Sequence, residues 1–226
     1  MGYLPDIARA LDQAGADLRP GDRVLDVGCG TQPYRSRFPQ ASFVGIDVEV
    51  SGRSADAKQP DVYFDGLHIP FANDEFGLVM CIEVLEHAIE PTVLLSEMQR
   101  VLRPGGRLVL STPFMWGEHE APFDFRRYSA NGLRRVVEQA GFRVERQEKM
   151  VVGRHAINAL LRGEIKAARG RKLGRTKLSA QLLQGIDLPL QLVWSGLLRY
   201  WEKVYGFDRV YVRSMLVAHK PPAQPE

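Results

Sequence analysis

The sequence predicts an α/β fold built on a mainly parallel sheet with helices on both faces. Three observations point there. Short apolar runs alternate with segments of helical spacing along the first 150 residues. The first apolar run ends in a glycine pair, Gly28-Cys29-Gly30. The next ends in an acid, Asp47.

Taken in order, Pro5 to Gly15 reads as an amphipathic helix with Ile7, Ala8 and Leu11 on one side and Gly15 as its stop. Arg23–Val27 is a short strand running into the glycine pair, and a helix is expected after that turn. Ser42–Asp47 is a second strand, and Val62–Phe64 a weaker third. Gly77–Val84 and Arg107–Thr112 are buried strands. Between those two, Pro91 opens a helix with Val93, Leu94, Met98, Val101 and Leu102 as its apolar face, and Pro104-Gly105-Gly106 ends it. Ser129 caps a helix running to Ala140, which Gly141 closes. Phe142–Val151 and, after a long gap, Val210–His219 alternate like strands.

Composition narrows the class. The chain has 226 residues, 45% of them hydrophobic and 25% charged, as in water-soluble globular domains. No run of ~20 uncharged apolar residues suggests a membrane span. The first residues carry Asp6 and do not read as a signal peptide. A cytoplasmic protein, with peripheral membrane contact as an option, is the expectation. The two cysteines, Cys29 and Cys81, suit a reducing compartment and read as small apolar fillers. No metal-ligand spacing stands out, so no metal is expected. The net charge of +3 is uneven, because residues 162–177 hold seven basic side chains and one acid. That implies a local anionic partner rather than nucleic acid.

The glycine turn and Asp47 suggest a nucleotide site. Glycines there let a ligand approach the main chain, and an acid closing the second strand can accept from both ribose hydroxyls. Two details argue against a dinucleotide. Pro33 replaces the third glycine of that fingerprint, and Asp26 would repel a pyrophosphate while attracting a ligand ammonium.

Four blocks then carry a resemblance. VLDVGCGT, FVGID, FDGLHIPFANDEFGLVMCIEVLEH and EMQRVLRPGGRLVLSTP resemble, in order, the blocks of class I S-adenosylmethionine-dependent methyltransferases across about residues 22–150. The similarity is to the broad group with ubiquinone-type and sugar-modifying members. It implies a Rossmann-like seven-stranded sheet whose last two strands form an antiparallel hairpin, with S-adenosyl-L-methionine across the carboxyl ends of the first strands. Gly28, Cys29 and Gly30 would approach the methionine and ribose. Asp47, with Val48 after it, would hold the ribose. Asp65 would accept from the adenine amino group with Gly66 alongside, and Ile82 and Glu83 would close over the sulfonium. Gly77 departs from the family, which usually carries an acid there.

The acceptor side is looser. Residues 113–128 follow the fifth strand at the ligand-binding edge and mix titratable groups with aromatics. His119, between Glu118 and Glu120, is the first candidate for general base, and His87 the second. The loop also resembles one in methyltransferases of polysaccharide and glycolipid biosynthesis. That makes Trp116, Glu118, Asp124, Arg126 and Tyr128 candidate acceptor contacts or braces, and implies O-methylation of a sugar, a lipid-linked saccharide or another small polar acceptor. C-methylation of a quinone or lipid precursor, and a non-catalytic binder, are the rival readings.

The expected division is a core over 1–151, a helical insertion over 152–208, a last core strand over 209–220 and a disordered tail over 221–226. The insertion's second half, Asp187–Tyr205, places Leu190, Trp194, Leu197, Leu198, Trp201 and Tyr205 on one helical face. A lid over the acceptor, a membrane-surface helix within 162–205 and a dimer interface all suit it. The chain would be a monomer or a homodimer.

Overall fold

A computed structural model describes residues 4–172, 193–204, 206 and 209–222. Seven strands form one sheet: β1 (Arg23–Val27), β2 (Ser42–Val48), β3 (Val62–Phe64), β4 (Phe76–Ile82), β5 (Leu102–Pro113), β6 (Arg143–Val152) and β7 (Tyr211–His219). Their order is β3-β2-β1-β4-β5-β7-β6. β1 to β5 pair in parallel, and β7 runs antiparallel to β5 from Arg107↔His219 to Pro113↔Arg213. β7 therefore inserts between β5 and β6, so the last two strands are neighbours as expected.

Side chains of a strand alternate between faces, and the sheet uses both. Val24, Leu78, Met80 and Val109 pack with Ile7, Ala10, Leu11 and Ala14 of α1 (Leu4–Gly15). Leu25, Val79, Cys81 and Leu108 pack on the opposite face with Leu94, Leu95 and Met98 of α2 (Pro91–Val101) and Leu133 and Val137 of α3 (Ala130–Gln139). Each such fully buried aliphatic chain contributes about 1.5–3 kcal/mol. Ser129 caps α3, its hydroxyl accepting from the Gly132 amide at 3.1 Å.

Three local expectations are corrected. No α-helix follows the glycine turn; the chain runs through turns with one 3-10 turn at Arg35–Arg37, and Phe38 folds inward. Pro33 lacks an amide hydrogen, and the preceding Gln32 sits at φ 55°, outside helical geometry. In α2, Leu95 is buried while Val93 is exposed, so the apolar face is rotated from the one expected. Pro104-Gly105-Gly106 does not end the helix but lies within β5, which begins at Leu102.

By its contacts the chain divides into two units. The first is Met1–Phe114, Glu118–Met150 and Arg213–Glu226; the second is Met115–Gly117 with Val151–Val212. The second carries α4 (Arg154–Lys172) and a helix over 193–204, here α5. Within it, Arg154 pairs with Glu202, and the Arg154 amide donates to the same carboxylate at 3.1 Å. Glu202 thus anchors α5 near the buried Leu198, whereas Leu197 and Trp201, expected on the same apolar face as Leu198, are exposed. Of the basic stretch, residues 164–172 are described as helical backbone alone, and 173–177 lie outside the described residues, as do residues 187–192 and 205 of the expected amphipathic helix and most of the expected tail. No helix among the described residues is long and apolar enough to cross a membrane.

Candidate active site

A cavity of about 390 Å³ opens at the carboxyl ends of β1 to β4, all within the first unit. Gly28, Asp47, Val48, Asp65, Gly66 and His87 line it, and the loop after β5 adds Glu120 and Phe123. This is the edge at which open α/β sheets take ligands.

The wall after β1 and β2 is made by the backbone. Gly28 has φ +72°, and a Cβ there would come within 2.3 Å of a Val84 methyl, so no larger residue fits. The Gly28 and Cys29 amides both donate to the Ile46 carbonyl, at 2.8 and 3.0 Å. Asp47 fastens the turn: its Oδ2 accepts from the Gly30 amide at 2.9 Å and its Oδ1 from the Val48 amide at 2.8 Å. The buried Lys58 ammonium donates to the Val48 and Glu49 carbonyls, at 2.8 and 3.1 Å. Asp65 at the rim accepts from the Leu67 and His68 amides and pairs with the His68 ring. Those bonds, led by the His68 amide, hold its carboxyl down at about 2.

Asp26 is 3% exposed, and its Oδ2 has no hydrogen-bond partner. Burial, and next the charge of Asp47, push its carboxyl up to about 7. A ligand ammonium beside it would satisfy the orphaned oxygen and favour the ionised form, so this part of the site fits the aminoacyl end of a cofactor. Burial pushes both cysteine thiols up, which leaves them protonated and inert.

Ile82 and Glu83 do not line the cavity, and neither do Asp26, Cys29 and Gly30. Ile82 packs with the α1-side core. The Glu83 carboxylate accepts from the Ser111 hydroxyl at 2.9 Å and from Arg213 Nε at 2.6 Å. Its side chain ties β4, β5 and β7 together rather than facing the cavity.

The opposite wall is stitched loop to loop. The Phe125 amide donates to the Glu86 carbonyl at 3.0 Å, and Arg126 donates to the carbonyls of Ala88 and Ile89, at 2.5 and 3.0 Å. His87 Nδ1 lies 2.6 Å from the Phe123 carbonyl and donates to it, leaving Nε2 with its lone pair. Nearby, a Cβ on Gly52 would lie 2.0 Å from the Glu120 carbonyl oxygen, and Glu120 pairs with Arg53 at 2.6 Å. Arg126 is thus a brace of the loop. So is Asp124, 3% exposed, which accepts from the His119 amide at 2.9 Å and from both Arg127 terminal nitrogens. Arg127 holds the Asp124 carboxyl down at about 2. Tyr128 is half-buried against the core, Trp116 belongs to the second unit, and Glu118 is exposed.

These ties bring His119 to His87, with ring centroids 4.9 Å apart at 79°. The carboxylate beside His119 is Asp124, 3.2 Å from Nδ1, rather than a sequence neighbour. Glu86, which sequence reasoning passed over inside EVLEH, completes the group. It is fully buried, neither carboxylate oxygen has a hydrogen-bond partner, and burial pushes its carboxyl up to about 9. An acid placed directly before His87, in the turn after a buried strand, was the available signal.

A seven-stranded sheet of this order, with a cavity at its carboxyl edge and an acid closing β2, defines the Rossmann-like fold of class I methyltransferases. The chain belongs to the methyltransferase-domain family, whose model matches residues 3–147. It is 32% identical over 162 residues to the O-methyltransferase cnsE of Penicillium expansum, covering 60% of this chain and 58% of that one. It is 38% identical over 124 residues to a demethylmenaquinone methyltransferase of Beutenbergia cavernae, covering 51% and 50%. The chain spans about half the length of the curated relatives it matches. Among solved structures, phosphoethanolamine N-methyltransferase 2 of Haemonchus contortus, in complex with S-adenosyl-L-methionine, superposes with a TM-score of 0.58 at 19% identity, over 96% of this chain and 53% of that one.

Proposed function

We propose that this chain is an S-adenosyl-L-methionine-dependent methyltransferase acting on an oxygen of a small polar acceptor, a sugar or lipid-linked saccharide. When bound, the cofactor supplies a methyl group on a sulfonium, an activated electrophile. Asp47 would accept the ribose hydroxyls, Asp26 would face the ammonium, and Gly28 would let the ligand reach the backbone. The Asp65 and Gly66 rim would border the adenine. The protein's main task is then to hold two reactants in line.

The observation that carries the oxygen reading is the His87–His119 pair, of which His87 lines the cavity. A hydroxyl is a poor nucleophile while protonated, so an oxygen acceptor benefits from a base, whereas a stabilised ring carbon needs one less. His87 lines the cavity, its buried Nε2 lacks a hydrogen-bond partner, and His119, with Asp124 beside its Nδ1, stands next to it. The relatives include both an O-methyltransferase and a quinone-precursor enzyme, so C-methylation is the second reading. Incubation with methyl-radiolabelled cofactor and separate saccharide and lipid-quinone fractions decides between them. Label in base-stable saccharide ethers supports the proposal; label confined to a quinone ring overturns it.

A further inference from the structure

We infer that Glu86, His87 and His119 form a binding site for a divalent transition-metal ion of the zinc class. Each residue offers one ligand atom, and the three atoms lie within 4.8 Å of one another. Two imidazole nitrogens and one carboxylate oxygen are a recurrent set for a catalytic zinc that keeps an open position.

Two further observations point to a cation. Glu86 is fully buried, yet both its carboxylate oxygens and His87 Nε2 are buried without a hydrogen-bond partner. Three buried polar atoms without a hydrogen-bond partner converge there, Glu86 Oε1 lying 3.7 Å from His87 Nε2, and such burial is costly unless a ligand satisfies them. The rings are also held from behind as ligating histidines are: His87 Nδ1 donates to the Phe123 carbonyl, and His119 Nδ1 lies 3.2 Å from the Asp124 carboxylate. On His87 this outer partner fixes the tautomer and turns the Nε2 lone pair toward Glu86. The sequence hid this site because its ligands come from two loops that meet only when Arg126 and Phe125 fasten them.

His87 also lines the cavity, so an ion on this site borders the acceptor space. The binding site stands without the methyl-transfer reading; the use of the ion rests on it. An acceptor hydroxyl in the open position would bind through oxygen and release its proton to water at near-neutral pH. The O–CH3 bond then forms as the S–CH3 bond breaks, the sulfur leaving with the electron pair as a neutral thioether.

The test is calorimetric titration of chelator-treated full-length chain with Zn2+ alone, without cofactor or acceptor. The expected result is one ion per chain, with affinity reduced about tenfold or more in Glu86→Gln and in His119→Ala. Zn2+ should raise the melting temperature of the unaltered chain more than that of either variant at the same Zn2+ concentration. His119 sits on a loop and is partly exposed, so its variant keeps the test usable should Glu86→Gln fail to fold. No stoichiometric binding, or equal binding by chain and variants, overturns the site and leaves the imidazoles as direct bases. Clean Zn2+ binding in a chain that transfers no methyl overturns the methyl-transfer reading instead.

Discussion

The two walls of the cavity are built by different means. After β1 and β2 the wall is main chain: the glycine turn hangs on the Ile46 carbonyl and on Asp47. After β4 and β5 it is side chain gripping main chain, with Arg126 on two carbonyls and His87 on a third. The first kind depends on residues close in sequence and on strands paired in parallel. The second exists only once distant loops meet. One wall should therefore govern cofactor affinity, and the other turnover.

The comparison is broken most directly by removing what neither wall uses. Every residue lining the cavity lies in the first unit. Replacing 160–203 with a short flexible linker should spare S-adenosylhomocysteine binding and abolish methyl transfer, if the insertion selects the acceptor. A folded deletion variant that binds cofactor and methylates at full rate would reject that role.

The next effect separates the walls. His87→Ala and His119→Ala should each lower turnover about 10²–10⁴-fold while S-adenosylhomocysteine affinity stays unchanged. Single-turnover kinetics beside calorimetry checks both halves. Asp47→Ala should do the reverse, weakening S-adenosylhomocysteine by about 1–3 kcal/mol through lost charge-assisted hydrogen bonds. Equal affinity in calorimetry would remove Asp47 from the ribose.

The smallest effect sharpens the cofactor wall alone. Folding raises the Asp26 carboxyl from 3.8 to about 7. Its contribution to stability is then full below pH ~4 and is lost as pH rises through about 7. Asp26→Asn should flatten that part of the urea-unfolding stability profile. It should also remove a rise in cofactor affinity over the same window, where the ionised carboxylate meets the ammonium. An unchanged profile would mean the carboxyl is ionised throughout.

The walls also differ in how legible they were. β1 and β3 matched the sequence reading residue for residue; β1 is a short run buried along nearly its whole length, which leaves few alternatives, whereas β3 is a half-exposed edge strand. Asp47 was visible from strand period and spacing alone. The helix expected after the glycine turn failed at Gln32 and Pro33, where local backbone geometry outweighed the pattern. Glu118 and Glu120 were the obvious companions of His119, yet the nearby acid is Asp124, because a folded loop chooses neighbours by closure rather than by order. In α5, periodicity identified two faces but not which would be covered; Glu202, bonded to Arg154, decided against Trp201.

The loop after β5 takes hold of the post-β4 segment through the carbonyl oxygens of Glu86, Ala88 and Ile89. Every residue type supplies a carbonyl oxygen, so these three moorings are indifferent to what occupies positions 86, 88 and 89. A foreign loop carrying its own arginine at the place of Arg126 could dock on the same strand end without any matching change beneath it. The loop is in that sense a transplantable cassette, and exchanging it among relatives would test whether it bears on acceptor choice. The limit on such grafts lies at Gly52, where the Glu120 carbonyl leaves room for hydrogen alone.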